Sequence, residues 1–195
     1  MLLPLNCTVN YIEDFLSPKE SLALYTLLIK QYKLDKARTR IEAGGRIIET
    51  DGFKILFSMP DLIARNTHPE HIHGKSYPFE GLMQDLKDKV EKISNQSFDL
   101  AMCLYYPDGS FYAPYHSDQQ TSGVKTILPS LSLGEVREFS FRDKETESTF
   151  SLDLANGSLL IMGENCQKNY EHSLIKNEKY QQPRINITFR EAAFQ

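Results

Sequence analysis

Three residues in the second half of the chain could bind one metal ion. His116 and Asp118 stand two positions apart, so on a β-strand both side chains face the same way while Ser117 points away. His172 follows in an alternating run, 54 residues after Asp118. Two imidazoles and one carboxylate suit non-haem Fe(II), with three coordination positions left open. The alternative is a surface loop after Pro114, and a serine-hydrolase site would require Ser117 and His116 to converge.

The segment 184–190 also carries groups that could bind a ligand. Its residues alternate strictly between a polar face with Arg184, Asn186, Thr188 and Arg190 and an apolar face with Ile185, Ile187 and Phe189. One interpretation is an amphipathic strand with its polar face in water. In a barrel that face would instead line the lumen, where two guanidinium groups need an anion because an unpaired buried charge costs several kcal/mol. A dicarboxylate would be the natural ligand of that arrangement.

Two helices and a β-rich half would position these residues. Ser17 as N-cap, Pro18 at the first helical position and Glu20 three residues after the cap predict a helix over 17–32. Apolar residues at helical spacing predict a second helix over 78–95. Between them, 33–77 has little periodicity and predicts loops with a hairpin at 46–57.

From residue 98 onward, short apolar or alternating runs are separated by turn residues, which is typical of a sheet. The predicted strands are 100–106, 113–116, 127–133, 138–142, 149–153, 158–162, 169–174 and 184–190. Eight strands after two helices suit a jelly roll.

Composition favours one compact domain. The 195 residues are 41% hydrophobic and 25% charged, and the net charge of -4 argues against a surface that binds polyanions everywhere. Three cysteines without a CxxC motif exclude a disulfide framework and a cysteine-rich zinc site. No apolar run approaches the length of a membrane span, so we expect a soluble cytoplasmic protein without a membrane partner.

Several short motifs resemble those of one enzyme family. In chain order they are Tyr105-Tyr106-Pro107-Asp108-Gly109, His116-Ser117-Asp118, Ser130-Leu131-Ser132-Leu133-Gly134 with Arg137 and Phe139, Asn156-Gly157-Ser158-Leu159-Leu160-Ile161-Met162, His172, and Arg184-Ile185-Asn186-Ile187-Thr188-Phe189-Arg190. Their order resembles the AlkB-like family of Fe(II)/2-oxoglutarate-dependent dioxygenases, from about residue 78 to the C-terminus. The resemblance implies an α+β, mainly β fold: a double-stranded β-helix, or jelly roll, with N-terminal helices packed on one sheet. We expect one domain over 1–195, with helices and a substrate-covering lid in 1–97 and the core in 98–195.

The resemblance also implies roles for individual residues. His116, Asp118 and His172 would bind Fe(II), which would act with O2 and the cosubstrate 2-oxoglutarate. Arg184 and Tyr106 would contact the distal carboxylate of 2-oxoglutarate, and a bidentate clamp explains why arginine stands there. Asn186 and Arg190 would organise the end of the site near the metal.

The implied activity is oxidative demethylation of alkylated nucleic-acid bases, with release of formaldehyde, succinate and CO2. Two alternatives stay open: a dioxygenase acting on a protein side chain or small molecule, and a non-catalytic binding module of the same fold. No obligate protein partner is evident.

The chain departs from the family pattern at two places. Leu104 replaces an asparagine that usually contacts the cosubstrate, and Gln119 and Gln120 replace acidic residues that follow the His-x-Asp motif in repair members. An amide can still donate and accept hydrogen bonds to a base edge, so Gln120 remains a substrate-binding candidate.

The lid region adds further candidates for substrate binding. Between Lys33 and Lys54 it has six basic and four acidic residues, among which Arg40 and Arg46 are candidates for nucleic-acid contacts. Phe53 could stack on a base, although an aromatic residue in a hairpin more often simply packs against its neighbours.

A second histidine cluster precedes the core. His68, Glu70, His71 and His73 lie within six residues but match no common zinc spacing, and Pro69 interrupts them. We therefore expect a solvated loop and no structural metal there.

Overall fold

The first helix begins where its capping residues predict. In the computed structural model, which describes residues 1–43, 45–118 and 127–192, helix α1 spans Pro18–Lys30. Ser17 Oγ accepts a hydrogen bond from the Glu20 amide, and the Glu20 carboxylate accepts one from the Ser17 amide at 2.7 Å. These reciprocal bonds satisfy amides that the first helical turn leaves without intrahelical partners. The other helices are α2 Pro60–Ala64, α3 Glu70–His73, α4 Leu82–Ser94 and α5 Cys166–Asn169.

Twelve strands are present in the described part of the chain. They are β1 Val9–Ile12, β2 Arg38–Ala43, β3 Arg46–Ser58, β4 Ser76–Pro78, β5 Leu100–Tyr106, β6 Ala113–His116, β7 Leu128–Gly134, β8 Arg137–Asp143, β9 Thr149–Leu154, β10 Leu159–Met162, β11 Tyr170–Leu174 and β12 Arg184–Arg190. The eight predicted strands correspond to β5 to β12, with bounds that differ by at most one residue. The jelly-roll prediction is confirmed.

The strands form two sheets. The larger has eight strands in the order β1-β10-β7-β12-β5-β3-β2, with β4 paired to β3, and the smaller has the order β6-β11-β8-β9. One face of the larger sheet packs against α1 and α4 through a common apolar cluster that includes Leu28, Met83, Phe57, Ile187 and Phe189. Burial of these side chains holds the helices on that sheet, as predicted, and leaves its other face toward the smaller sheet.

The N-terminal half contributes more sheet than the sequence predicts. The expected hairpin within 46–57 is wrong, because β3 is one continuous strand and the hairpin partner is β2, with Ala43 opposite Arg46. The second helix starts at Leu82 and not near Pro78, which ends strand β4. Because β1 to β4 all join the larger sheet, residues 1–97 supply part of the core sheet as well as helices.

The second histidine cluster, at residues 68–73, is partly helical. Glu70–His73 form one turn of helix, so the expected loop is wrong for this part of the histidine cluster. His68 and His73 are partly buried against each other, with ring centroids 5.3 Å apart.

None of the helices that the structure describes is long and apolar enough to cross a membrane.

Candidate metal centre and adjoining cavities

The smaller sheet brings the predicted metal ligands together. His116 ends β6 and His172 lies directly opposite it on β11, which places the two ring centroids 4.4 Å apart. Asp118 follows β6 by two residues, and its Oδ2 lies 3.4 Å from His172 Nε2. Candidate ligand atoms of the three residues all lie within 4.8 Å of one another. One ion could therefore contact all three side chains.

Hydrogen bonds around the triad fix the direction of its ligands. His116 Nδ1 lies 2.7 Å from the carbonyl oxygen of Pro114, which can only accept, so the other ring nitrogen keeps its lone pair for a metal. The Asp118 amide donates to Gln167 Oε1 at 2.8 Å. Ser117 Oγ donates to a main-chain carbonyl 2.9 Å away on β11, so the serine-hydrolase alternative has no support.

The charge state of Asp118 suits a metal ligand. Burial opposes ionisation of this carboxyl, but hydrogen bonds and charges from His172 and Arg190 outweigh that effect and hold its pKa below the ordinary value. Two imidazole nitrogens and one carboxylate oxygen on one side of an ion are the donor set of Fe(II) sites with open positions. Among the residues that the structure describes, no other group of three His, Cys, Asp or Glu side chains could share an ion. The residues present therefore fit Fe(II).

Arg184 is a buried charge inside the barrel. The residue is only 2% exposed. Its Nη2 donates a hydrogen bond to Ser132 Oγ at 2.9 Å, and its Nε has no hydrogen-bond partner among the described residues. No Asp or Glu in the described ranges forms an ion pair with it, and burial lowers the pKa of Arg184 to about 10. Because an uncompensated buried guanidinium is costly, this site favours an anionic ligand such as a carboxylate.

Asn186 and Thr188 on the polar face of β12 are also buried, and Arg190 at its end is partly buried. Asn186 is 8% exposed and donates to Ser130 Oγ at 2.7 Å, while its Oδ1 accepts from Thr188 Oγ1 at 2.9 Å. The interpretation of β12 as a strand with a wet face is therefore wrong. The strand lies between β5 and β7, and one face is covered by the helices while the other faces the smaller sheet.

The triad and Arg184 line one cavity between the sheets, which we call the metal cavity. Its volume is about 90 Å³, and its lining includes the triad, Arg184, Arg190, Asn186, Tyr106 and Leu104. Tyr106 stands opposite Arg184 across β5 and β12, and the guanidinium carbon lies 5.6 Å from the centre of its ring. The metal cavity therefore has a cationic end and a metal-binding wall.

A second and larger cavity adjoins the metal cavity at His116, Tyr106, Leu104 and Ala113. This aromatic cavity has a volume of about 670 Å³, and its aromatic lining residues are Phe53, Tyr105, Tyr106, Phe111, Tyr112 and His116. Phe53 is largely buried and packs edge-on against Tyr105, with ring centroids 5.7 Å apart. A flat organic group could therefore lie against aromatic rings beside the metal ligands.

The other substrate-binding candidates lie elsewhere. Arg40 lines a groove outside both cavities, and Arg46 is an exposed residue at the start of β3 that lines neither cavity. Gln120 lies outside the described residues, as does Gln119. Of the four candidates, only Phe53 is placed in the lining of the aromatic cavity.

Arg137 has a structural role that sequence reasoning missed. It is fully buried, and its guanidinium donates to the main-chain carbonyls of Asp108 and Phe111, both at 3.1 Å, and of Ile175 at 2.8 Å. These bonds tie the loop that carries Phe111 to the segment after β11. Arg137 belongs to one of the family motifs, but no role could be assigned to it from sequence because its main-chain partners lie 26 to 38 residues away along the chain.

Comparisons with known proteins agree with this geometry. A sequence profile of the 2OG-Fe(II) oxygenase superfamily matches residues 8–190. The human protein named DNA oxidative demethylase ALKBH2 is 29% identical over 136 residues, 60% of this chain and 52% of its own length. Mouse alpha-ketoglutarate-dependent dioxygenase alkB homolog 3 is 32% identical over 115 residues, 54% of this chain and 40% of its own length. The matches thus span about half the length of these curated relatives.

Solved structures show the same fold at low sequence identity. The structure of OsALKBH1 superposes with a TM-score of 0.61 at 17% identity, covering 97% of this chain and all of that one. A prolyl hydroxylase from Trichoplax adhaerens gives a TM-score of 0.63 at 10% identity, covering 93% of this chain and 81% of the other. The curated relatives are AlkB homologues, the solved structures share the fold, and the profile shows the family: the chain belongs to the 2OG-Fe(II) oxygenase superfamily.

Proposed function

We propose that the chain is an Fe(II)/2-oxoglutarate-dependent dioxygenase that demethylates alkylated bases in nucleic acid. The observation that carries this proposal is the metal cavity, in which a buried arginine without a carboxylate partner shares one small volume with a His-Asp-His triad. A dicarboxylate of the right length could satisfy the arginine at one end and reach the metal site at the other.

Each residue of the metal cavity has a definite task in this proposal. His116, Asp118 and His172 would hold Fe(II), which when bound would supply oxidation of a C–H bond coupled to conversion of 2-oxoglutarate into succinate and CO2. Arg184 would bind the distal carboxylate with its guanidinium fork. Tyr106 would donate a hydrogen bond to the same carboxylate, because burial raises the pKa of its hydroxyl and keeps it protonated.

Two further residues support the metal-proximal end. Arg190 donates to Asp118, which keeps that carboxylate ionised and directed toward the two imidazoles. Asn186 already bonds to Ser130 and Thr188, so it would act by ordering the cavity wall. Leu104 makes part of that wall apolar, and Arg184 with Tyr106 would then provide the polar recognition of the cosubstrate.

The aromatic cavity supports a nucleobase as the substrate group. Phe53 and Phe111 could contact the faces of a base that has left its stack, and His116 connects this cavity to the metal cavity. One oxygen atom of O2 would enter the methyl group and the other would enter succinate. The resulting N-hydroxymethyl group would lose formaldehyde and return an N–H to the base. A relative named DNA oxidative demethylase is consistent with this substrate class.

Product analysis distinguishes this function from its alternatives. The enzyme with Fe(II), 2-oxoglutarate and O2 would be given a methylated oligonucleotide, a methylated peptide or no second substrate, and the methyl-bearing molecules would be weighed by mass spectrometry. We expect loss of 14 Da from the oligonucleotide alone. Loss from the peptide alone would assign the chain to protein substrates and overturn the proposal.

A further inference from the structure

Two cysteines that are far apart in sequence meet near the metal centre. Cys7 precedes β1, and Cys166 begins α5, 159 positions later in the chain. Both pack into one apolar cluster, which also contains Met162 from the lining of the metal cavity. Cys166 is 1% exposed, whereas Cys7 is partly exposed. The three cysteines of the chain all lie in the described ranges, and all are free thiols.

Hydrogen bonds on both sides of Cys7 hold it against α5. The carbonyl oxygen of Asn6, the residue before it, accepts from Nδ2 of Asn169, the last residue of α5, at 3.0 Å. The carbonyl oxygen of Thr8, the residue after it, accepts from the Gly163 amide at 2.8 Å, just before α5 begins. A Cβ on Gly163 would lie only 2.7 Å from that oxygen, so glycine permits this close approach. The segment that carries Cys7 is therefore fixed at both ends of α5.

The two thiol groups interact directly. A hydrogen bond with Cys166 lowers the pKa of the Cys7 thiol and outweighs the opposing effect of burial. The same hydrogen bond, together with burial, raises the pKa of the Cys166 thiol. Cys7 is therefore the partly exposed thiol that ionises first, and Cys166 is the buried thiol that stays protonated beside it. Such a pair suits oxidation, because the thiolate reacts with peroxide and the neighbouring thiol then resolves the product.

We propose that Cys7 and Cys166 form a reversible disulfide when the protein meets hydrogen peroxide. In the first step the Cys7 thiolate attacks a peroxide oxygen, the O–O bond breaks, and Cys7 becomes a sulfenic acid. The hydroxide that leaves takes up the proton that the thiol released and becomes water. In the second step the Cys166 sulfur attacks the Cys7 sulfur, the S–O bond breaks, and a second water leaves with the Cys166 proton. Two thiols thus lose two electrons and two protons, and peroxide is reduced to water.

The disulfide would fasten a segment that positions a candidate metal ligand. Gln167 directly follows Cys166, and its Oε1 accepts from the Asp118 amide at 2.8 Å. The carbonyl oxygen of Gln167 in turn accepts from Lys144 Nζ at 2.8 Å. A bond between Cys7 and Cys166 would close a covalent loop over most of the chain and restrict the unfolded state. The oxidised form should therefore keep α5 and Asp118 in place at temperatures at which the reduced form unfolds. This inference does not depend on which substrate the enzyme oxidises.

Peptide mapping of the peroxide-treated protein tests the disulfide. The full chain would be reduced, kept free of iron by a chelator so that peroxide forms no radicals, treated with hydrogen peroxide, blocked with a thiol reagent and digested. We expect mass spectrometry to find two peptides joined through Cys7 and Cys166, lighter by two hydrogen atoms than the separate peptides. Dithiothreitol should separate them again. The oxidised protein should melt roughly 5 to 10 °C above the reduced protein.

Single serine variants supply the controls. Cys7→Ser and Cys166→Ser should lose both the joined peptides and the rise in melting temperature. Cys103→Ser should keep both, because Cys103 is fully buried on β5 in a different apolar cluster.

Four outcomes would overturn the proposal. They are a Cys7 that reaches only the sulfinic or sulfonic acid, a disulfide that joins two chains, a joined pair that contains Cys103, and an unchanged melting temperature in fully oxidised protein. Mapping of the unsubstituted protein decides the first three outcomes, even where a serine variant does not fold.

Discussion

Arg190 donates a hydrogen bond to Asp118 from the last residue of β12, although 72 positions separate the two residues in sequence. The same strand begins with Arg184, which lies at the cationic end of the metal cavity. One strand therefore carries both the residue that orients a candidate metal ligand and the arginine that we propose as the binding group for 2-oxoglutarate. This arrangement predicts that the metal and cosubstrate sites depend on the same short segment, yet can be perturbed separately.

Substitution of Arg184 by lysine should weaken the binding of 2-oxoglutarate. Arg184→Lys keeps the positive charge but loses the planar fork, so we expect 2-oxoglutarate binding to weaken by roughly 1.5 to 3 kcal/mol. The dissociation constant would be measured with iron and without oxygen. Iron affinity should survive, and turnover should recover at least partly at saturating 2-oxoglutarate. An unchanged constant in a folded variant would remove Arg184 from the cosubstrate site.

Loss of His172 should abolish most metal binding. His172→Ala removes one of three ligands in the triad, so an anaerobic Fe(II) titration should no longer reach one iron per chain with high affinity. His68→Ala is the matched control because it removes an imidazole outside the triad, and we expect it to bind iron normally. Stoichiometric iron with unchanged affinity in the His172 variant would contradict the assignment.

The histidine cluster before the core should not hold a structural metal. His71 and His73 lie on the single turn of α3, and His73 contacts the ring of His68. Replacing both His71 and His73 with alanine should leave the melting temperature and the metal content nearly unchanged, since no stabilising ion would be lost. A large decrease in both quantities would show that this prediction is wrong.

Arg137 should be required for stability and for the wall of the aromatic cavity. Arg137→Met leaves three buried main-chain carbonyls without their donor, so we expect the free energy of unfolding to decrease by about 2 to 4 kcal/mol. Urea unfolding would measure this, with Arg142→Met as control because Arg142 forms a partly exposed pair with Glu171 and bonds to no main-chain carbonyl in the described residues. Equal effects of the two substitutions would contradict a special role for Arg137.

The sequence predicts β5 to β12 well because their alternation reflects burial. In β12, the polar residues face the lumen and the apolar residues face the helices. The sequence therefore alternates between polar and apolar residues, although both faces of the strand are buried. The pairing of His116 with His172 was likewise accessible, because both residues lie in short alternating strands. Strand β2 was missed because its charged residues give no apolar pattern, which is common for a strand at a sheet edge.

Other parts of the site depend on contacts that no local pattern encodes. Gln167 was missed because its contact with the Asp118 amide joins α5 to the end of β6. Arg40 and Arg46 were predicted from charge alone, and charge does not determine on which side of a hairpin a residue lies. Phe53 lies in the aromatic cavity because β3 pairs with β5 and places its ring against Tyr105, a contact that the sequence does not reveal.

The most direct test of the central claim is a mass balance of the two organic products. The enzyme would be incubated with Fe(II), 2-oxoglutarate, O2 and a methylated single-stranded oligonucleotide, and succinate and formaldehyde would be quantified in the same sample. Coupled demethylation predicts equal molar amounts of both, and neither product when iron is omitted. Absence of succinate under these conditions would identify a non-catalytic binding module, and succinate without formaldehyde would contradict demethylation of this substrate.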